Sequence, residues 1–440
     1  MRIGNQKLIC GQPVTKLCAA LLMLALINGA TVIAYGQGKQ NTDSRKKSVS
    51  STTDDLAAQH YNRARNLIAV NNWAAAEEKL DYVIARYSNS KYLEPSLYWL
   101  AYACKQQGKY QKAVLLLNRL INEFPRSVWV NDARTLRAEL AARVGDTKII
   151  NESLESANDD ETKLAALSSL FQINPEEGLR RAIEILDSAA AGNVNLREAI
   201  IVLIGKYAGG EETSAVLLNI ARTERETVTR TAAVIGLKKR LTESVLAQLV
   251  ELVIKCDDNT VAETALFVIA QQDNEQAKKA LVQIVLSAES PDTRKHAVHF
   301  LGKLKSGDVI DELIRLSDSV QEIEVKREVL FTLMQTGNRA AQSKAFEIYR
   351  RADDVGIREE GIVLSAQYGN VEIIEKIIQI YDGETSEEMK LLILVSLGKS
   401  KQKNALRKLA SVAENEKSPA LRKKAAQLLK QKAESEVPKK

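Results

Sequence analysis

Proline and glycine are scarce, at 7 and 21 residues in 440. Both residues punctuate turns and interrupt helices, so their scarcity argues against an all-β chain and leaves room for long helical runs. Aromatic residues make up 5%, so the core must be built from Leu, Ile, Val and Ala. There are three histidines. His296 and His299 have the i, i+3 spacing that can bring two imidazoles to one metal, but no third ligand accompanies them, and no metal site is expected. The four cysteines, Cys10, Cys18, Cys104 and Cys256, form no C-x-x-C, which argues against zinc and a redox motif. The G-x-S-x-G, G-x-x-x-x-G-K-[ST], G-x-G-x-x-G and H-E-x-x-H patterns are also missing. Acidic pairs such as Glu211-Glu212, Asp257-Asp258 and Asp353-Asp354 stand at the ends of helical patterns, where a carboxylate serves as a cap. The expectation is a protein that is not an enzyme and uses no cofactor.

Charge of one sign is lacking too. The net charge is +6. Residues 401–440 hold ten Lys and two Arg against four Glu, or +8, which leaves −2 for the rest. Acidic residues interleave with the basic ones throughout, so no nucleic-acid partner is expected. The basic end reads as the polar outer face of a terminal unit; anionic lipid or an acidic partner is the alternative.

Long apolar runs are confined to the beginning. Arg2, Lys7 and Lys16 precede an apolar stretch over 17–27, and Ala34-Tyr35-Gly36 offers small residues for signal peptidase, with cleavage between Gly36 and Gln37. Residues 1–36 are therefore expected to be a signal peptide. If residues 17–35 are retained they are long enough to serve as an N-terminal anchor. Cys18 stands at the start of the apolar run rather than at its end, the wrong order for an acylated lipoprotein cysteine. The protein is expected to be exported, to the periplasm or envelope, with secretion or inner-membrane anchoring as alternatives. Residues 37–53 carry no apolar run and read as a flexible linker.

What the chain has instead is repetition. A basic residue recurs at Lys163, Arg197, Arg230, Arg294, Arg327, Arg358, Lys390 and Arg422, with Glu263 in the one unit lacking it. Successive gaps, by subtraction, are 34, 33, 33, 31, 33, 31, 32 and 32. A period near 32 is the mark of a helical solenoid. Four residues before these anchors stand Asp159, Asn193, Glu226, Asn259, Ser290, Ile323, Asp354, Ser386 and Ser418, mostly good N-caps. The residues three and seven after the anchors, apolar in most units, draw a helical stripe. Upstream, a second period of 37 aligns Asn71-Asn72-Trp73-x-x-Ala76 with Gly108-Lys109-Tyr110-x-x-Ala113, and eleven of the 21 aromatics fall between Tyr61 and Trp129.

Trp73, Ala76, Gly108, Tyr110, Ala113 and Pro125 give residues 54–146 a resemblance to the tetratricopeptide repeat. Ile121-Asn122-Glu123-Phe124-Pro125-Arg126-Ser127 looks like the subtype of bacterial envelope proteins. Pro291-Asp292-x-Arg294-x-x-Ala297 and Pro419-x-x-Arg422-x-x-Ala425 give residues 147–432 a resemblance to HEAT repeats, including the type seen in phycobilisome lyases. The resemblance implies an all-α solenoid of about nine HEAT-like repeats, followed by a tail over 433–440. It also implies that the basic anchors are structural, bonding to oxygens of the adjacent unit. The function it implies is protein or peptide binding on a concave solenoid surface, as a scaffold or adaptor of the bacterial cell envelope. A lyase-like enzyme and a membrane-anchored sensor are the alternatives. A hinge is expected at Glu263, where the ladder of basic anchors is interrupted.

Overall fold

The computed structural model describes residues 50–156, 159–188, 193–305 and 308–436. The leader with Gly36 and Gln37, and residues 37–49 and 437–440, lie outside the described residues. The chain divides into two compact units, residues 1–56 and 57–440. Only residues 50–56 of the first are described, as the opening of a helix. The described residues form 23 helices and no strand, an all-α solenoid.

The first helices are α1 (Ser50–Ala69), α2 (Trp73–Arg86), α3 (Leu93–Gln106), α4 (Tyr110–Glu123), α5 (Val130–Val144) and α6 (Thr147–Ser156). The tight turns inside their hairpins need one residue in the left-handed region, where a side chain is strained and Gly or Asn is favoured. Asn71 (φ 58°), Gly108 (φ 74°) and Gly145 (φ 70°) supply it. They stand 37 residues apart, so the sequence period of two units extends to a third. Gly145 sits between α5 and α6, which pack together, so the boundary expected at 146/147 falls inside a hairpin.

There follow α7 (Asp160–Ile173), α8 (Pro175–Ser188), α9 (Val194–Tyr207), α10 (Gly210–Thr223), α11 (Thr227–Gly236), α12 (Glu243–Ile254), α13 (Asn259–Ala270) and α14 (Glu275–Ser287). The remainder are α15 (Pro291–Leu301), α16 (Val309–Ser319), α17 (Ile323–Gln335), α18 (Arg339–Arg350), α19 (Val355–Tyr368), α20 (Val371–Gly383), α21 (Glu387–Lys399), α22 (Lys403–Asn415) and α23 (Pro419–Glu436). Two layers result. Each odd helix from α5 to α21 packs on the next odd one, and even helices pack alongside, as α10 on α12, α12 on α14 and α20 on α22. The odd layer is tight in places: a Cβ added at Gly205 of α9 would lie 2.8 Å from the Gly236 Cα of α11.

The N-caps fix the register. They are Glu226, Asp258, Ser290, Glu322, Asp354 and Ser386 for α11 to α21, and the Ser418 Oγ accepts the Leu421 N–H at 3.4 Å in α23. Each cap lies 32 residues after the last. This corrects two expected caps, Asn259 and Ile323, by one residue. Asp258 accepts the N–H groups of both Thr260 and Val261, at 2.9 and 3.2 Å, so the helix starts a residue earlier. The residue four after the cap, whose N–H bonds the cap carbonyl, is then Ala262 rather than Glu263, and Lys326 rather than Arg327. The hinge expected at Glu263 loses its premise: the slot holds buried Ala262, and α13 buries seven side chains.

Two aliphatic cores fill the space between the layers. One runs from Ala64 to Leu170 and the other from Leu167 to Ala425. They meet in α7, which gives Ala166 and Leu170 to the first and Leu167 and Phe171 to the second.

Candidate interaction surface

Seven of the eight basic anchors, all but Lys163, are occupied within the fold. The Arg197 Nη1 donates to the Leu186 carbonyl at 2.6 Å, and its guanidinium pairs with Glu224. The Arg230 Nε donates to the Ala221 carbonyl at 3.0 Å, and Nη1 approaches Asp257 at 3.4 Å. The Arg294 Nε donates to the Val285 carbonyl at 2.7 Å, and Nη1 pairs with Glu322. Each of these three thus joins the end of the preceding even helix to an acid beyond its own helix. Arg358 binds the carbonyls of Ala352 and Asp353 (2.5 and 2.9 Å), and Arg422 those of Glu416 and Lys417 (2.5 and 3.0 Å). Lys390 lies 3.9 Å from the Glu416 carboxylate and over the Tyr381 ring. Lys163 is half-buried on α7. Arg327, one position out of register, pairs instead with Glu324 and Glu360, at 3.3 and 3.2 Å.

With the anchors engaged, the open part of each odd helix is its far side. Positions 3, 7 and 11 after the cap are buried in every odd helix from α9 to α19. On a helix of 3.6 residues per turn, positions 2, 5, 6, 9 and 13 face the other way. Position 9 forms a row of half-buried side chains, apolar except for His299: Val202, Ile235, Phe267, His299, Phe331, Val363 and Val395. Position 13, in the last turn of α9, α17, α19 and α21 and just past the ends of α11, α13 and α15, holds Lys206, Lys239, Gln271, Lys303, Gln335, Gln367 and Lys399. Toward the N-termini, positions 2, 5 and 6 of α13 to α19 carry Glu263, Asp292, Glu324, Glu328, Glu359 and Glu360 against Lys295 and Arg327. The face is banded: acidic, apolar, then basic and amide. Carboxylates near helix N-termini and ammonium groups near C-termini both complement the helix dipoles.

His296 and His299 belong to this face. Burial first, then Lys303 and His296, push the His299 imidazole below its ordinary range and keep it neutral at pH 7. Burial pushes the Glu328 carboxyl up, with Lys295 opposing. Among the described residues, no group of three or more His, Cys, Asp or Glu could hold a metal ion. Among them, too, no helix is long and apolar enough to cross a membrane.

In the first hairpins, Trp73 and Tyr110 open α2 and α4, and Gly108 makes the turn between α3 and α4. Ala76 and Ala113 are fully buried where paired helices cross, and Pro125 is exposed in the turn after α4. Aromatic rings collect beside them. Trp73 faces Tyr102 at 6.0 Å, Tyr98 faces Trp129 at 5.1 Å, and the Arg65 guanidinium lies 3.6 Å over the Trp99 ring. Glu77, which the sequence patterns did not single out, accepts from Gln107, Lys109 and Lys112 at 2.6, 2.6 and 2.9 Å. Burial alone would raise its carboxyl, but these three bonds hold it at about 2.

Residues 246–334 match the family described as HEAT repeats, and residues 53–174 match the family described as outer membrane lipoprotein. The chain is a HEAT and tetratricopeptide-like repeat protein. The lipoprotein-type match of this repeat protein runs to the end of α7, the helix shared by the two cores. Two relatives, each named outer membrane protein assembly factor BamD, come from Xylella fastidiosa strains 9a5c and Temecula1. They are 30% identical to it over 107 and 114 residues, which is 23% and 26% of this chain and 33% and 34% of theirs. The HEAT and tetratricopeptide-like chain thus spans about a third of the length of the curated relatives it matches. A solved tetratricopeptide domain of P58(IPK) aligns with 87% of this chain and all of that one. It shares 15% identity at a TM-score of 0.23, a likeness that carries no argument.

Proposed function

We propose that this chain is a non-enzymatic scaffold of the bacterial cell envelope, binding protein or peptide partners along its odd-helix face. The observation that carries this reading is the banded outward face. A largely apolar row repeats over seven odd helices, while the basic anchors other than Lys163 are bound to carbonyls and carboxylates of the fold. Repeat arrays bind by many modest contacts spread over successive units, which needs such a continuous surface. The similarity of residues 53–174 to outer membrane lipoproteins, and the identity shared with outer membrane assembly factors, favour the envelope. They extend to this chain no particular partner. The anchors Arg197, Arg230, Arg294, Arg358, Lys390 and Arg422 then serve as rungs, and Trp73, Ala76, Gly108, Tyr110, Ala113 and Pro125 as packing and turn residues of the first block.

The test is photo-crosslinking in cells, with the reactive amino acid placed at Thr231, Phe331 and Val395 on this face and at exposed Leu286 on the even helix α14. Discrete adducts from the outward positions, not from Leu286, are expected. No discrete adduct from either face would overturn the scaffold reading. N-terminal sequencing of the mature protein addresses export: a start at Gln37 is expected, whereas retention of residues 17–35 would make it an inner-membrane-anchored protein.

A further inference from the structure

The central stretch of the outward face has a sign and a pitch, and together they describe an occupant. On α13 to α19, Lys295 is paired with Asp292 at 2.8 Å, and Arg327 with Glu324 and Glu360. Among the described residues, this leaves Glu263, Glu328 and Glu359 beside the apolar row with no ion pair, Lys295 acting on Glu328 only at longer range. Across that row the far band offers Lys303 and three glutamines, Gln271, Gln335 and Gln367. The surface around Phe267, His299, Phe331 and Val363 is therefore apolar with an acidic flank. Phe331 and Val363 are half-buried and stand outside the residues that pack on the core, Phe331 lying edge-on to Tyr368 at 6.0 Å, whereas half-buried Phe267 packs on the core. An apolar partner carrying Lys or Arg complements it.

The pitch comes from the layer. Packed helices usually stand about 8–10 Å apart, and at that separation the row would present one rung about every 9 Å. A polyproline II strand rises about 3.1 Å per residue and returns to the same side every third residue, at about 9 Å. A β-strand at about 3.3 Å per residue puts residues i and i+3 on opposite sides. An α-helix returns to the same side after seven residues, at about 10.5 Å, longer than the spacing. Of these three, only the polyproline II strand matches both spacing and side.

We propose that α13 to α19 bind an extended cationic peptide in the polyproline II conformation, with an apolar residue at every third position and Lys or Arg between. The proposal rests on the scaffold reading above and names its partner class. The apolar residues seat on Phe267, His299, Phe331 and Val363, and the cations reach Glu263, Glu328 and Glu359.

The probe is a fluorescent peptide of four Leu-Lys-Pro repeats, titrated by anisotropy into the purified full chain. The comparison peptides are four Leu-Glu-Pro repeats, a Leu-Lys-Pro composition with its leucines clustered, and a helical peptide with leucine every seventh residue. The Leu-Lys-Pro peptide should bind best and weaken as salt rises. In the triple variant Glu263→Lys, Glu328→Lys, Glu359→Lys it should bind about tenfold more weakly, each lost pair contributing a factor of about two. The Leu-Glu-Pro peptide should gain in that variant. Circular dichroism checks that the variant is folded. If it is not, Glu359→Lys alone should weaken binding by about twofold. Equal binding of both charge types, indifference to leucine spacing, preference for the helical peptide, or no effect of the folded variants would each overturn the proposal. Outward-face crosslinks in cells without Leu-Lys-Pro binding would sink this inference alone, whereas the loss of both would sink the scaffold with it.

Discussion

At the scale of single residues, the chain is held by polar groups satisfied across unit boundaries. Glu77 on α2 gathers Gln107, Lys109 and Lys112 from the next hairpin, and its side chain is 12% exposed. Its carboxyl sits below the ordinary value, so the stability it confers is complete above the unfolded pKa near 4.5 and is lost as pH falls toward about 2. Glu77→Gln should lower stability at pH 7 by as much as about 2 kcal/mol and flatten the loss between pH 5 and 2. Urea melts at a series of pH values measure this, and an unchanged acid limb would count against the bond set. Arg294 makes a parallel case in the second array. Arg294→Met keeps most of the apolar stem but leaves the Val285 carbonyl and Glu322 without their donor, at a cost of about 1–3 kcal/mol. The same change at Arg327, which reaches no carbonyl of the preceding helix, should cost less. The difference in thermal midpoint between the two variants reads it.

At the scale of the element, the odd helices are specified by caps and small residues. Gly205 on α9 lies against Gly236 on α11, and a side chain at 205 meets backbone that cannot swing aside. Gly205→Val should push the two helices apart and destabilise by about 1–3 kcal/mol or more. Gly209→Ala, where nothing stands within 4 Å, is the control and should be nearly neutral. Comparable thermal midpoints for the two would contradict the close approach. Much of this level was legible in the sequence. Ser290, Asp354, Ser386 and Ser418 were readable as caps because short oxygen-bearing side chains before an apolar period have few other uses. The two misread caps have a physical reason. Counting from the nearest conspicuous charge favours Glu263 and Arg327, but the helix begins where backbone N–H groups find acceptors, and Asp258 provides them. The third hairpin turn was missed for a related reason. Gly145 carries no aromatic two residues later, as Asn71 and Gly108 do in Trp73 and Tyr110, so the period of 37 showed only in backbone dihedrals.

At the scale of the whole molecule, the fold class followed from periodicity alone, since a unit of about 32 residues can bury its stripe only against neighbours. The interaction surface did not follow. Its apolar row at Val202, Ile235, Phe267, His299, Phe331, Val363 and Val395 is chemically uneven, and only the corrected caps show that these seven side chains hold one position. Glu77, Gln107 and Lys112 likewise meet through hairpin packing, which no sequence spacing reveals. The uniform cap spacing has a mechanical consequence. Held by its two ends and pulled, the second array should lengthen in equal increments from Glu226 to Ser418, where each unit contains the same 32 residues. Every unit that lets go frees about 100 Å of chain, the extended length of 32 residues less the width of the folded pair. Optical-tweezer traces of the full chain should show this ruler as evenly spaced rips, and a single rip of the whole length would mean that the array yields as one block.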